Sequence, residues 1–248
     1  QLWPLLETMR DRAIAFVPAS GRQCTTLSTM FGSHLQGMPI IAENGTYVVR
    51  DGVDISSSTI DPNLTREVIT GVRQLRNDGH DVGLVVATKS IAYLERGDDP
   101  FVSHVATYYH SHRIVKDLSE HTDDVIKLSI YDFREASEAT YPTMQRTAPE
   151  HQVILATPNW VDIMNPGVNK GSAVEAVQRD LGVTADQTAI FGDFLNDLEM
   201  MPMAKWSFAM ANGHPNIVKA SNYVAPPNTE NGVITVLAAL LGTRVPIT

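Results

Sequence analysis

The sequence predicts an α/β protein whose core is drawn from both ends of the chain, with an α+β unit inserted between them. Three observations carry that expectation. Short apolar runs alternate with helix-period stretches as far as Ala87, the pattern of βα units. The texture changes from about Thr88 to Glu150, where charged residues and His104, His110, His112 and His121 surround one clear apolar run, Ile126–Tyr131. After Asn165-Pro166-Gly167 the βα texture returns.

Each element follows from its own pattern. Gln1–Arg12 reads as a helix and Ala13–Val17 as a strand, linked by Pro18-Ala19-Ser20-Gly21-Arg22 to a helical pattern from Gln23 to Leu35. Pro39–Ala42 is a short strand broken by the turn signal Asn44-Gly45, and Tyr47–Val49 with Asp51-Gly52 suggests a hairpin. Leu64, Val68, Val72 and Leu75 recur at helical spacing over Leu64–Arg76, and Asp81–Ala87 follows as a buried strand. Gln152–Ala156 and the alternating Trp160–Met164 read as neighbouring strands of a sheet with one wet face. Gly171–Leu181 is helical, stopped by Gly182. Thr188–Phe191 is a strand, Phe194–Met203 a helix, Trp206–Met210 a strand, and His214–Ala220 and Asn231–Leu241 are helices. No internal repeat or low-complexity linker interrupts them. The expected core spans 1–61 and 166–248, and the inserted unit 62–165, both within ordinary domain sizes.

Composition narrows the function. Among 248 residues, 19 Lys and Arg face 28 Asp and Glu, a net charge of −9 that argues against a duplex nucleic-acid surface. With 43% hydrophobic and 19% charged residues the chain can bury a real core, so disordered and low-complexity classes fall away. The single cysteine, Cys24, excludes an intramolecular disulfide framework and a Cys-rich zinc site, and fits a reducing cytoplasm. No apolar run approaches the ~18 residues of a membrane span. Nothing demands more than a monomer or a weak homo-oligomer.

Three strand-to-helix junctions carry the chemistry. In Ala189-Ile190-Phe191-Gly192-Asp193-Phe194-Leu195-Asn196-Asp197 an apolar strand ends at a glycine, and Asp193 sits at its carboxyl end, where parallel sheets place ligands. Asn196 and Asp197 follow three and four residues on, so two carboxylates and an amide can face one crevice, a donor set suited to Mg²⁺. Taken alone these residue types are equally the usual helix-start choices. Lys170 opens a helix, where the backbone already favours an anion, so a lysine there asks for a negative partner. The stretch is no Walker A loop, because the order is Lys170-Gly171-Ser172 and the required first glycine is missing. Alone, a solvated lysine is the commoner reading. Ser20 and Gly21 offer a hydroxyl and an unobstructed amide to a phosphate oxygen, although a plain Ser cap would look the same. Together the three junctions bring a hydroxyl, a lysine and a carboxylate cluster to one sheet edge, an anion-plus-metal site.

On these residues the chain resembles the haloacid dehalogenase (HAD) superfamily phosphatases, of the subclass IIB, Cof-type, sugar-phosphatase-like group. Ser20-Gly21-Arg22 matches the family's second motif, Lys170 in Gly167-Val168-Asn169-Lys170-Gly171 its third, and Gly192-Asp193-Phe194-Leu195-Asn196-Asp197 its fourth. Glu43-Asn44-Gly45, Phe208-Ala209-Met210-Ala211-Asn212 and Asn231-Gly232-Val233 support the match. The resemblance implies a Rossmann-like core with an inserted α+β cap of the C2B type that closes over the site and selects the substrate. It implies Mg²⁺-dependent hydrolysis of a small phosphorylated metabolite, a phosphomonoester such as a sugar phosphate, through a phospho-aspartate. Ser20 would hydrogen-bond the phosphoryl group, Lys170 would neutralise its charge, and Asp193, Asn196 and Asp197 would complete the metal and lysine network. By the same resemblance Gly21, Arg22 and Asn44 would be substrate or loop-ordering contacts.

The departure from the family concerns its first motif. The family opens on a strand ending in Asp-x-Asp, whose carboxylates are nucleophile and general acid/base, and no such strand is present. The expectation is that about 30 residues upstream, one βα unit, belong to the protein. A degenerate, non-catalytic phospho-ligand binder is the rival, separated by the sequence upstream of Gln1. A phosphomutase carries the same motifs and is separated by its product. His110-Ser111-His112 reads as solvated surface, Cys24 as an inert thiol, and Met200, Met201 and Met203 as helix packing. Trp160 reads as packing in the cap sheet, where an aromatic sugar platform would look alike.

Overall fold

The computed structural model describes residues 2–243. Helix α1 (Leu2–Asp11) turns Leu5, Leu6 and Met9 onto the last helix of the chain. Gln1, read as part of this helix, lies outside the described residues. Residues 13–17, expected as a strand, form no ladder. Ala13 takes a φ of 55°, and the first pairing is an isolated parallel bridge from Ala19 to Ile41. A strand is made by its partners' hydrogen bonds, and among the described residues no strand flanks this segment on its other side. The expected helix over 23–35 is α2 (Cys24–Phe31) followed by a 3-10 turn, because Gly32 breaks the helix at φ 54°.

Strands β1 (Pro39–Ala42), β2 (Tyr47–Arg50) and β3 (Val53–Ser57) form an antiparallel sheet in that order. Asp51 and Gly52, both at positive φ, make the expected hairpin turn. Helix α3 (Pro62–Asn77) is capped by the Asp61 carboxylate, starts on Pro62, and buries Leu64, Val68, Val72 and Leu75 as one stripe.

A six-stranded sheet follows, ordered β6-β5-β4-β7-β9-β8. It comprises β4 (Val82–Thr88), β5 (Ala92–Leu94), β6 (His112–Ile114), β7 (Val125–Asp132), β8 (Gln152–Thr157) and β9 (Trp160–Met164), with α4 (Asp99–Ala106) and α5 (Thr140–Thr147) between them. All its pairs are antiparallel except β5 with β6. One face packs on α3 and α5 through Ile69, Leu128 and Met144, and the other carries Phe101, Tyr109, Tyr131 and Trp160. Strands β5 and β6, at three residues each, are too short to show a period in sequence. The expected wet face of β9 is absent. This strand pairs on both sides and is buried at all five positions, Asp162 included.

The chain then returns to the first sheet. Helix α6 (Lys170–Leu181) is stopped by Gly182 in the left-handed conformation. Strands β10 (Ala189–Gly192), β11 (Trp206–Met210) and β12 (Tyr223–Ala225) pair in parallel, with α7 (Pro215–Ala220) and α8 (Gly232–Leu241) completing the chain. The helix expected over Phe194–Met203 is two 3-10 turns, Leu195–Asp197 and Met201–Met203. Pro202 lacks an N–H, and the Asp197 side chain takes the amides of Asp193 and Phe194 at the first turn. Among the described residues, no helix is long and apolar enough to cross a membrane.

Candidate active site

The first junction is held open by β1. Ser20 N–H donates to the Ile41 carbonyl at 3.0 Å, and Asn44 N–H returns to the Ser20 carbonyl at 3.0 Å. This pins the Ser20 loop to the end of β1, just ahead of α2. Ser20 Oγ accepts from the Arg22 N–H at 3.2 Å, a turn in which the hydroxyl proton remains free for a ligand. The Arg22 guanidinium leaves the loop, donating to the Thr107 carbonyl at 2.9 Å and lying 5.2 Å from the Tyr108 ring centre. Gly21 lets the loop pass close to Asn44, since a Cβ there would stand 3.0 Å from Asn44 Oδ1 and the amide would have to shift.

The second junction is the start of α6. Asn169 and Ser172 cap it reciprocally, and Lys170 occupies its first turn, only 5% exposed. Its Nζ donates to Asp197 Oδ1 at 2.6 Å. The negative partner that a lysine at a helix N-terminus asks for is therefore Asp197. The other Asp197 oxygen accepts from Asp193 N–H at 3.0 Å and from Phe194 N–H at 3.4 Å. Both oxygens thus orient Lys170 and the acidic loop, the lysine part of the network in which Asp197 was expected.

The third junction follows β10. Asp193 and Asn196 are half-buried at the strand end. Asp193 Oδ2 accepts from Asn228 Nδ2 at 3.0 Å, and Asn196 Nδ2 donates to Asn44 Oδ1 at 3.1 Å. The outward donors left are Asp193 Oδ1 and Asn196 Oδ1. Among the described residues, no three His, Cys, Asp or Glu side chains converge as a closed metal site. One carboxylate and one amide oxygen at the edge of an open cavity fit Mg²⁺, which keeps several waters and binds through one or two carboxylates plus the substrate phosphate. They do not fit a soft ion.

Ser20, Gly21, Arg22, Asn44, Lys170, Asp193, Asn196 and Asp197 all line one cavity of about 460 Å³. The sequence reading missed the opposite wall, where the six-stranded sheet contributes Lys127, Ser129, Trp160 and Asp162, and the connection from α4 to β6 contributes Tyr109. Lys127 Nζ lies 2.6 Å from Glu43 Oε2 and 3.6 Å from Asp162 Oδ2. Asp162 accepts from Ser129 Oγ at 2.6 Å and from Asn44 Nδ2 at 3.0 Å, and Tyr109 and Ser129 share a hydrogen bond of 3.0 Å. Burial raises the Glu43 carboxyl above the ordinary range, against the pull of Lys127. The available signals were Asp162, read as the wet side of an alternating strand, and Lys127, a cation inside the apolar run Ile126–Tyr131. His110 is exposed, while His112 Nδ1 lies 2.8 Å from the Tyr109 carbonyl. Burial pushes the Cys24 thiol up, as an inert thiol requires.

Residues 4–237 match the model of the haloacid dehalogenase-like hydrolases. The chain belongs to that family. The resemblance read from the motifs therefore holds, and the α/β architecture is that of the haloacid dehalogenase-like hydrolases. A curated relative, 5-amino-6-(5-phospho-D-ribitylamino)uracil phosphatase YbjI of Escherichia coli (strain K12), is 28% identical over 246 residues, spanning 97% of this chain and 88% of that protein. Among solved structures, SMU.1108c from Streptococcus mutans UA159 superposes with a TM-score of 0.83 at 24% identity, covering 98% of this chain and 91% of its own. The HAD subclass IIB sugar phosphatase BT4131 superposes with a TM-score of 0.77 at 19% identity, covering 96% and 89%. At those identities the structural likeness speaks for the fold.

Proposed function

We propose that this haloacid dehalogenase-like hydrolase is a Mg²⁺-dependent phosphatase of small phosphomonoesters, among them sugar and sugar-alcohol phosphates such as the phosphoribityl compound named for its E. coli relative. The carrying observation is the convergence of Ser20, Lys170 and Asp193, from three separate junctions, on one cavity. On this reading 1–61 and 166–248 form the catalytic core, and 62–165 is the cap whose sheet roofs the cavity.

Phosphoryl transfer asks chiefly for positioning and for compensation of negative charge spread over the equatorial oxygens. Ser20 donates its free hydroxyl proton to one such oxygen. Lys170, pre-oriented by Asp197, places a fixed cation beside another with little reorganisation. Asp193 and Asn196 would hold Mg²⁺, which when bound supplies Lewis-acid polarisation of the phosphoryl oxygens. The carboxylate nucleophile that this reading needs belongs on the open edge of β10, which among the described residues pairs only with β11. The cap wall, with Tyr108 and Trp160, encloses the alcohol portion of the ester and limits water.

Phosphate release from a panel of phosphomonoesters, with and without Mg²⁺, tests the reading. Full-length protein that carries the Asp-x-Asp strand should release phosphate in a Mg²⁺-stimulated manner, and Asp193→Asn in it should abolish the stimulation. Retained stimulation in that variant would sink the metal assignment. An isomerised phosphate ester in place of free phosphate would identify a mutase, and ligand binding without turnover a non-catalytic binder.

A further inference from the structure

Lys127 is a buried cation of the cavity with no part in the mechanism above. It stands on β7, and its side chain is 3% exposed. Besides Glu43 and Asp162, its Nζ donates to the Gly21 carbonyl at 3.0 Å and lies 5.4 Å from the centre of the Tyr109 ring. Burial alone would discharge it, but the Asp162 and Glu43 carboxylates more than reverse this and hold it charged.

We propose that Lys127 is a positioning residue for the phosphate loop: by gripping the Gly21 carbonyl it fixes the Gly21–Arg22 peptide with its N–H on Ser20 Oγ. The proposal rests on the phosphatase reading of this cavity. The carbonyl of Gly21 and the N–H of Arg22 are the two ends of one planar trans peptide, so fixing one aims the other. That N–H occupies an acceptor site of Ser20 Oγ, which leaves the hydroxyl proton for the phosphoryl oxygen. A cation at the carbonyl end also polarises the peptide and strengthens its N–H as a donor.

Two further contacts argue that the loop is the target and that Lys127 is more than an ion-pair partner. Among the described residues, no other group donates to the Gly21 carbonyl. On its other side Gly21 abuts the Asn44 amide, which is itself tied to Asp162 and Asn196. The loop is clamped between Lys127 and Asn44, and Asp162 touches both arms of the clamp. Seating of the six-stranded sheet is thereby linked to the orientation of Ser20.

A double-mutant cycle tests this, read as orthophosphate affinity by calorimetry in Mg²⁺ buffer, with kcat and KM in parallel. Lys127→Met should weaken phosphate binding by about tenfold in the wild-type background and by less than about twofold in Ser20→Ala, the non-additivity expected of coupled groups. Equal losses in both backgrounds, or no loss in either, would overturn the proposal. If Lys127→Met alone fails to fold, the neutral pair Lys127→Met with Glu43→Gln removes a buried cation and a buried anion together and runs through the same cycle. A wild-type protein that binds no phosphate overturns the phosphate-site reading and this proposal with it. Phosphate binding with an additive cycle overturns the role of Lys127 alone.

Discussion

Lys170 occupies a helix turn whose backbone disfavours a cation, and it is buried there with one carboxylate 2.6 Å away. That combination makes it a pre-placed charge, whose loss should be felt most where phosphoryl charge shifts during transfer. Lys170→Ala is expected to lower kcat by about 100-fold or more, the range seen when one pre-organised electrostatic group is removed, with KM changed far less. Steady-state kinetics on a phosphomonoester would show it, and a change confined to KM would reduce Lys170 to a binding contact. At this scale the sequence was partly legible. Ser20, Lys170 and Asp193 each stand directly after an apolar run or at a helix start, so a local pattern marks them. Lys127 and Asp162 are marked only as charges inside apolar strands, which does not give their role, because that lies in distant partners such as Asn44 and Asp162, 118 residues apart. Asp197 is the intermediate case, its tie to the lysine network coming from the family resemblance and not from local pattern. Its position in the acidic loop was readable, but the lysine that takes its oxygen lies 27 residues upstream.

At the scale of elements, the site depends on how closely α6 approaches the acidic loop. Gly171 permits that approach, since a Cβ there would fall 2.3 Å from the Glu199 carbonyl oxygen. Backbone cannot swing away as a side chain tip can, so Gly171→Ala must push the helix start outward and carry Lys170 with it. The expected cost is about 1–3 kcal/mol, as for other overpacked sites. It should be read as a lower urea midpoint at unchanged m value, together with a fall in kcat. An unchanged midpoint would show that the loop yields freely. Long periodic elements such as α3 were legible because a repeated stripe identifies them. The segment before Ser20 and the acidic loop were not, because there hydrogen bonding decides the form. Residues 13–17 have the composition of a strand and no ladder, and residues 194–203 have the composition of a helix with Pro202 and the Asp197 side chain inside it.

For the whole molecule, the question is whether the six-stranded unit and the two three-stranded sheets, which have separate cores, behave as one. The segment after the phosphate loop is fastened to the six-stranded unit. Gln23 N–H donates to the Tyr108 carbonyl, the Gln23 amide exchanges two bonds of 3.0 Å with Ser111, and Thr26 Oγ1 bonds both Tyr108 and His110. Gln23 and Thr26 are 0% and 1% exposed, so parting the units would strip buried polar groups of their partners, at about 1–3 kcal/mol for each group left unsatisfied. Cooperative unfolding of the whole chain follows from that cost. Ile69→Ala, in the α3 core far from the cavity, should lower stability by about 2–5 kcal/mol through the lost side chain and its void. Trp160 reports the six-stranded sheet and Trp206 the parallel one, so variants retaining only one or the other can follow each unit. Both transitions should move together to lower urea, with kcat at 25 °C unchanged because the folded state still dominates. A Trp160 transition that moves while the Trp206 transition stays fixed would show that the bonds across the cavity do not join the units, and that the roof over the phosphate loop can unfold on its own.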